Sequence, residues 1–337
     1  MHGGCSRAWN CACACTGSLI DGGGVIKRNN ARRYSAGGCL HKIFGGLVLL
    51  LAACAQIPSS PARYLEVLTD AGFVPALAPP VVKSFLRQAG DAPAVNIYIE
   101  GDGAAWFLRT LPPGDPTPRQ PVAARLALAD RAAIVGYVGR PCQFMEPVRL
   151  RECSPSLWTD ARFGDSAIAL TDAAIDGLLS GLPHGRQVNL VGFSGGGTLA
   201  LLVAAGRTDV ACVVTLASPL DIDAWSDLNG VARLAGSRNP ASPSNGLSRL
   251  RQTHIYGAAD RIVPVSAVGH YRNFSGDSQV KVFAGNRGHG DWEKFWPAIR
   301  DSTCLNRSTS NAAQAVPADR IAAEGRHIVT RSEVLHG

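Results

Sequence analysis

Residues 187–206 read QVNLVGFSGGGTLALLVAAG. The first seven are an apolar run with the length and β-branched content of a buried strand. After Ser194 the composition changes to Leu and Ala at helical spacing, over residues 195–206. A strand passing straight into a helix through Gly192, Phe193, Ser194, Gly195 and Gly196 places one hydroxyl on a very tight turn, where only tiny neighbours fit.

The same alternation extends outward in both directions. Further strand-like runs are VNIYIE at 95–100, AAIVGYV at 132–138, CVVTLAS at 212–218, THIYGA at 253–258 and QVKVFAG at 279–285. Between them, 121–131, 165–181 and 290–300 carry apolar residues at helical spacing. Continuous apolar strands separated by helices imply a mostly parallel central sheet with helices on both faces, an α/β architecture.

A serine hydroxyl is a weak nucleophile at its own pKa, so chemistry at Ser194 requires a histidine base and a carboxylate that orients it. Both occur downstream at strand ends. Asp260 follows THIYGA in the stretch Gly257 to Pro264, and His289 follows QVKVFAG in Gly288, His289, Gly290, Asp291, Trp292. Asp221 and Asp223, after the preceding strand, are the other carboxylates to consider. A Gly-rich turn of this kind can also bind phosphate through its amides, but the chain has neither G-x-G-x-x-G nor a Walker lysine there.

With G-x-S-x-G between strand and helix, then acid, then histidine, residues 90 to 300 resemble the α/β-hydrolase family. The resemblance implies that fold, a triad of Ser194, Asp260 and His289, and no metal or cofactor. It implies an oxyanion hole from the amide of Gly195 and that of Asp102 or Gly103 in IYIEGDGAAW, 97–106. That loop departs from the commoner His-Gly pattern and brings Glu100 and Asp102 close to the site, where loop shaping is their expected role. The 34-residue stretch 219–252, where family members insert caps, allows only a small lid. An ester is the default substrate; peptidase, thioesterase and acyltransferase chemistry use the same triad, and a catalytically silent binder of an envelope component is the alternative.

The chain's +7 charge would raise the question of nucleic acid as a partner. Residues 1–53 carry +5 of it, which leaves +2 for the rest and no electrostatic case for that partner. The run IFGGLVLLLAA at 43–53 follows basic residues and spans only about 16 Å as a helix, roughly half a hydrocarbon core. It reads as a signal segment, and its ending Leu51, Ala52, Ala53, Cys54 resembles a bacterial lipobox.

Lipidation of Cys54 would anchor the protein to a membrane, and the resemblance to proteobacterial lipoproteins implies, with Ala55 rather than Asp in the next position, the periplasmic face of the outer membrane. The expected organisation is therefore a leader at 1–53 whose start lies further downstream than Met1, a tether at 54–61, a hydrolase domain at 62–304 that begins with a short helix near 63–71, and a disordered tail at 305–337. Five of the ten cysteines fall in the leader. Of the others, Cys142 and Cys153 bracket a short loop and are expected to pair in an oxidising compartment. Cys212, opening a strand, is expected as a buried thiol and Cys304 as a free one.

Overall fold

The computed structural model describes residues 62–104, 111–242, 247–273, 278–284 and 288–306. The leader, Cys54, the tether and the chain beyond residue 306 lie outside the described residues. The six strands expected from the sequence are β3 (Ala94–Ile99), β4 (Ile134–Val138), β5 (Gln187–Phe193), β6 (Val210–Leu216), β7 (Gln252–Gly257) and β8 (Ser278–Phe283). Two strands preceding them were not expected, β1 (Val74–Pro75) and β2 (Ser84–Gln88). The sheet order is β1-β2-β4-β3-β5-β6-β7-β8. It is parallel from β4 to β8, and β1 and β2 pair antiparallel at one edge.

The helices are α1 (Ala62–Asp70), α2 (Val122–Ala129), α3 (Pro147–Leu150), α4 (Asp165–Ser180), α5 (Gly195–Gly206), α6 (Ile222–Asn229) and α7 (Trp296–Arg300). The expected helix at 290–300 is a 3-10 turn, Trp292–Lys294, followed by the five residues of α7. Pro297 explains the break, because it has no amide to continue a hydrogen-bonded helix from the preceding turn.

Alternation along the strands sorts their side chains onto two faces. Ile97, Ile99, Leu190 and Val213 pack with Ala174, Ile175, Leu178 and Leu199 of α4 and α5. Tyr98, Val191 and Val214, one residue out of phase, pack with Val122 and Leu126 of α2 and with Trp292, Trp296 and Ile299. Both faces are therefore covered, which is why the central strands are mostly apolar, and the polar Asn96 of β3 and Asn189 of β5 are buried and hydrogen-bonded to each other. The packed body continues through Cys304 and Leu305, both buried.

Two disulfides staple this body. Cys142 and Cys153 are bonded, as expected. Cys212 and Cys304 are bonded to each other, which corrects the reading of one as a buried thiol and the other as free. Their separation of 92 residues hid the pairing, which only the folded sheet brings about.

A histidine inside the sheet sets an acid limit on stability. His254 on β7 is fully buried, with Nδ1 2.9 Å from Thr215 Oγ1 and Nε2 3.1 Å from Gln252 Oε1. The Gln252 amide nitrogen donates to the Leu247 carbonyl, so its oxygen accepts from Nε2–H, and burial of the ring favours its neutral form. Burial holds its pKa down at about 3, against about 6.5 in an unfolded chain. The unfolded state therefore takes the proton first. The contribution is complete above about pH 6.5 and is lost as pH falls toward 3, reaching about 2 kcal/mol by pH 5. Urea unfolding at about pH 7.5 and pH 5 measures this, and a His254→Gln variant should show a flatter pH dependence. An equal slope in that variant would exclude His254 as the cause.

Candidate active site

The chain leaves β3 to form β4 on one side and returns to form β5 on the other. A crevice opens at the carboxyl ends of β3 and β5, the position at which open parallel sheets bind ligands. Ser194 follows β5 there, with φ 52° and ψ −129°. A non-glycine residue at such angles costs on the order of 1–3 kcal/mol and persists only where its surroundings force it. Two glycines make room for it. A Cβ on Gly192 would lie 2.3 Å from the Gly197 Cα, and one on Gly196 would lie 2.3 Å from the Glu100 carbonyl oxygen.

Three side chains that the sequence singled out meet at this point. His289 Nε2 lies 3.0 Å from Ser194 Oγ, and His289 Nδ1 lies 2.8 Å from Asp260 Oδ2. Asp260 Oδ1 accepts the amides of Ile262 and Val263 at 2.8 and 2.9 Å, so one oxygen is held by the loop and the other is left for the imidazole. A carboxylate can only accept here, which places the histidine proton on Nδ1 and leaves Nε2 to accept from the serine hydroxyl. Asp221 and Asp223 are elsewhere. Asp221 caps α6 by accepting the amides of Asp223 and Ala224, while Asp223 contacts Asn239 and Arg233.

The loop carrying His289 is fastened by Trp292, a role not read from the sequence. Its indole is fully buried and donates to the His289 carbonyl at 2.9 Å. Phe193, the residue before the serine, lies against the imidazole with ring centroids 5.0 Å apart.

Opposite the serine, the segment after β3 is shaped by its two acids, which act separately. Glu100 is buried and accepts the amides of Gly101, Ala123 and Ala124 and the Tyr137 hydroxyl. It thus caps the amino end of α2, and burial raises its pKa against the pull of those donors. Asp102 instead pairs with Arg140 at 2.6 Å, and its carboxylate touches the position where Gly195 would carry a Cβ. Gly103 has φ 65°, and a Cβ there would meet the Pro116 carbonyl at 2.2 Å. Among the described residues the Asp102 and Gly103 amides have no acceptor, and Gly195, as the first residue of α5, has none within its helix.

Ser194, His289, Asp102 and Gly103 border one cleft of about 1130 Å³. Apolar side chains form much of its wall, including Phe163, Phe193, Ile262 and Val263. Trp225 of α6 and residues 231–234 close it from the side of the 219–252 insertion, which stays small.

No family model matches the sequence, and no curated protein matches it. Solved structures do resemble the fold. A puromycin hydrolase is similar over 71% of this chain at 17% identity with a TM-score of 0.50, and the chain spans 39% of that protein. An esterase from Pyrococcus furiosus is similar over 69% of this chain and 91% of its own at 12% identity, with a TM-score of 0.46. A lidless α/β serine hydrolase from Xanthomonas campestris is similar over 68% of this chain and 95% of its own at 15% identity, with a TM-score of 0.39.

Proposed function

We propose that this chain, which has the α/β-hydrolase fold, is a serine hydrolase that cleaves carboxylic esters through an acyl-enzyme on Ser194. The observation that carries this is the continuous hydrogen-bonded line from Ser194 Oγ through His289 to Asp260, at the edge of a cleft. In the reaction the hydroxyl oxygen attacks the ester carbonyl while His289 Nε2 takes its proton. The negative charge on the tetrahedral intermediate falls to the amides of Gly195 and of Asp102 or Gly103. Collapse expels the alcohol, which receives the proton from His289. Water, deprotonated by the same nitrogen, then attacks the acyl-serine and releases the acid and the free serine. Asp260 keeps the ring in its tautomer and stabilises the imidazolium in both halves. These steps need no metal or cofactor.

A fluorophosphonate reagent tests the reading directly, because it labels only an activated serine. Labelling of the native chain at Ser194, with turnover of a short nitrophenyl ester, is the expected result. A folded but unlabelled protein would instead be a binding protein on a hydrolase scaffold.

The site belongs, in this reading, to a lipoprotein on the periplasmic face of the outer membrane. The support is the segment 43–54, with an apolar run too short to span and a cysteine after small residues. Several acyl chains on Cys54 would hold the domain at a membrane where a single chain would not. Mass spectrometry of membrane-extracted protein is expected to find a lipidated Cys54 at the amino terminus. An unmodified peptide running through residue 54 would exclude the anchor.

A further inference from the structure

Arg162 is a cation in the wall of the cleft with almost nothing to neutralise it. Its side chain is only 4% exposed, and among the described residues its single carboxylate contact is Asp102, with Nε 3.7 Å away. Asp102 is already taken by Arg140 at 2.6 Å, and the Arg140 side chain is equally buried. Two buried guanidiniums thus share one carboxylate, an excess of one positive charge in a place where an unpaired charge is costly.

The remaining charges of the cleft do not remedy this. Glu100 is committed to three amides and a hydroxyl, and Arg233 is paired outside with Asp227 and Asp223. Asp160 and Arg119 are exposed to solvent. Nor does hydrogen bonding help: among the described residues Arg162 donates to no acceptor, and its Nε is sealed from water without a partner.

Two aromatic rings flank the guanidinium. The Phe163 ring lies 5.6 Å and the Trp225 ring 5.5 Å from its Cζ. Aromatic contacts of this kind hold a guanidinium without using its N–H groups, which can take a carboxylate or phosphoryl group through two parallel hydrogen bonds. Arg162 lines the same cleft as Ser194 and His289.

We infer that Arg162 is an anion-binding specificity residue, and that the ester cleaved at Ser194 carries a carboxylate or phosphoryl group that docks on its guanidinium. This rests on the serine hydrolase reading and narrows it from esters in general to anionic ones. A hydrophobic side chain of similar volume would pack beside Phe163 and Trp225 without the desolvation cost, so a buried cation here fits a ligand charge better than it fits packing.

The test compares matched pairs of substrates. The nitrophenyl monoester of glutaric acid is set against the nitrophenyl ester of pentanoic acid, and a monoacyl glycerol 3-phosphate against the same monoacyl glycerol. Native protein is expected to favour the charged member of at least one pair by about 10- to 100-fold in kcat/KM, and the pair that shows it tells carboxylate from phosphoryl recognition. The ratio should fall with added salt and collapse in Arg162→Gln, with Arg162→Lys intermediate. A merely structural Arg162 would lower both members alike and leave the ratio unchanged. Turnover without preference in either pair overturns the inference while leaving the hydrolase reading intact. If the protein takes no fluorophosphonate label and turns over neither ester, the hydrolase reading fails, and thermal stabilisation by glutarate or inorganic phosphate still decides the anion site. Stabilisation in the native protein that Arg162→Gln lacks supports it, and its absence in the native protein refutes it. Should Arg162→Gln not fold, the native ratios and their salt dependence decide.

Discussion

Ser194→Ala is expected to lower ester turnover by up to about 10⁶, His289→Ala by a similar factor, and Asp260→Asn by about 10⁴. The order follows from the geometry. Serine and histidine share one hydrogen bond of 3.0 Å, so removing either abolishes the attacking alkoxide. Asp260 acts through the ring. Its asparagine variant presents an N–H where Oδ2 now accepts, which turns the imidazole toward the wrong tautomer and leaves the serine proton without a base.

The losses are therefore not additive, and Ser194→Ala combined with His289→Ala should be no slower than either alone. Ser194→Ala should also fold, because alanine lacks only the hydroxyl and the glycines around it still admit the turn. Circular dichroism and the unfolding midpoint check the fold, single-turnover assays the rate, and fluorophosphonate labelling the nucleophile. If labelling and turnover survive in Ser194→Ala, the nucleophile is another residue. If Asp260→Asn is silent and Asp223→Asn is inactive, the acid alone has been misassigned.

That Ser194, Asp260 and His289 would meet was legible because each sits where a strand ends, and strand ends carry their signal locally. The strand QVNLVGF and its glycines identify the turn at Ser194, and Asp260 and His289 follow two further apolar runs in order. The edge of the sheet was not legible. β2 reads SFLRQ, without the uninterrupted apolar run of a strand covered on both faces; its Phe85 lies near Tyr137 and its Arg87 over the Phe73 ring. Neither contact has a local signature. The same holds for Arg140 and Arg162, whose meaning depends on a carboxylate some 40 to 60 residues earlier, and for Trp292, which resembles any other core aromatic until the His289 carbonyl is seen to accept from it.

The Cys212–Cys304 bond is expected to be the larger of the two covalent contributions to stability. It closes a loop of 92 residues, where Cys142–Cys153 closes 11. Chain entropy assigns about 4 to 5 kcal/mol to the first and about 3 kcal/mol to the second. The long loop contains β7, β8, Asp260 and His289, so cutting it frees in the unfolded chain the part of the sequence that must return to complete the site.

In the folded state the bond adds little that packing does not already supply. Cys212 is fully buried on β6, and Cys304 is placed by its amide, which donates to Thr253 Oγ1 at 3.2 Å, with Leu305 buried beside it. A Cys212→Ala and Cys304→Ala double variant should therefore keep its kcat at 25 °C while its thermal midpoint falls by roughly 10 to 15 °C. Reduction of the native protein should reproduce the fall, and non-reducing peptide mapping should recover the 212–304 linked peptide. Alkylation of both thiols in native, unreduced protein would remove the bond from the structure, and an unchanged midpoint in the double variant would show that the loop is already held in the unfolded chain by other contacts.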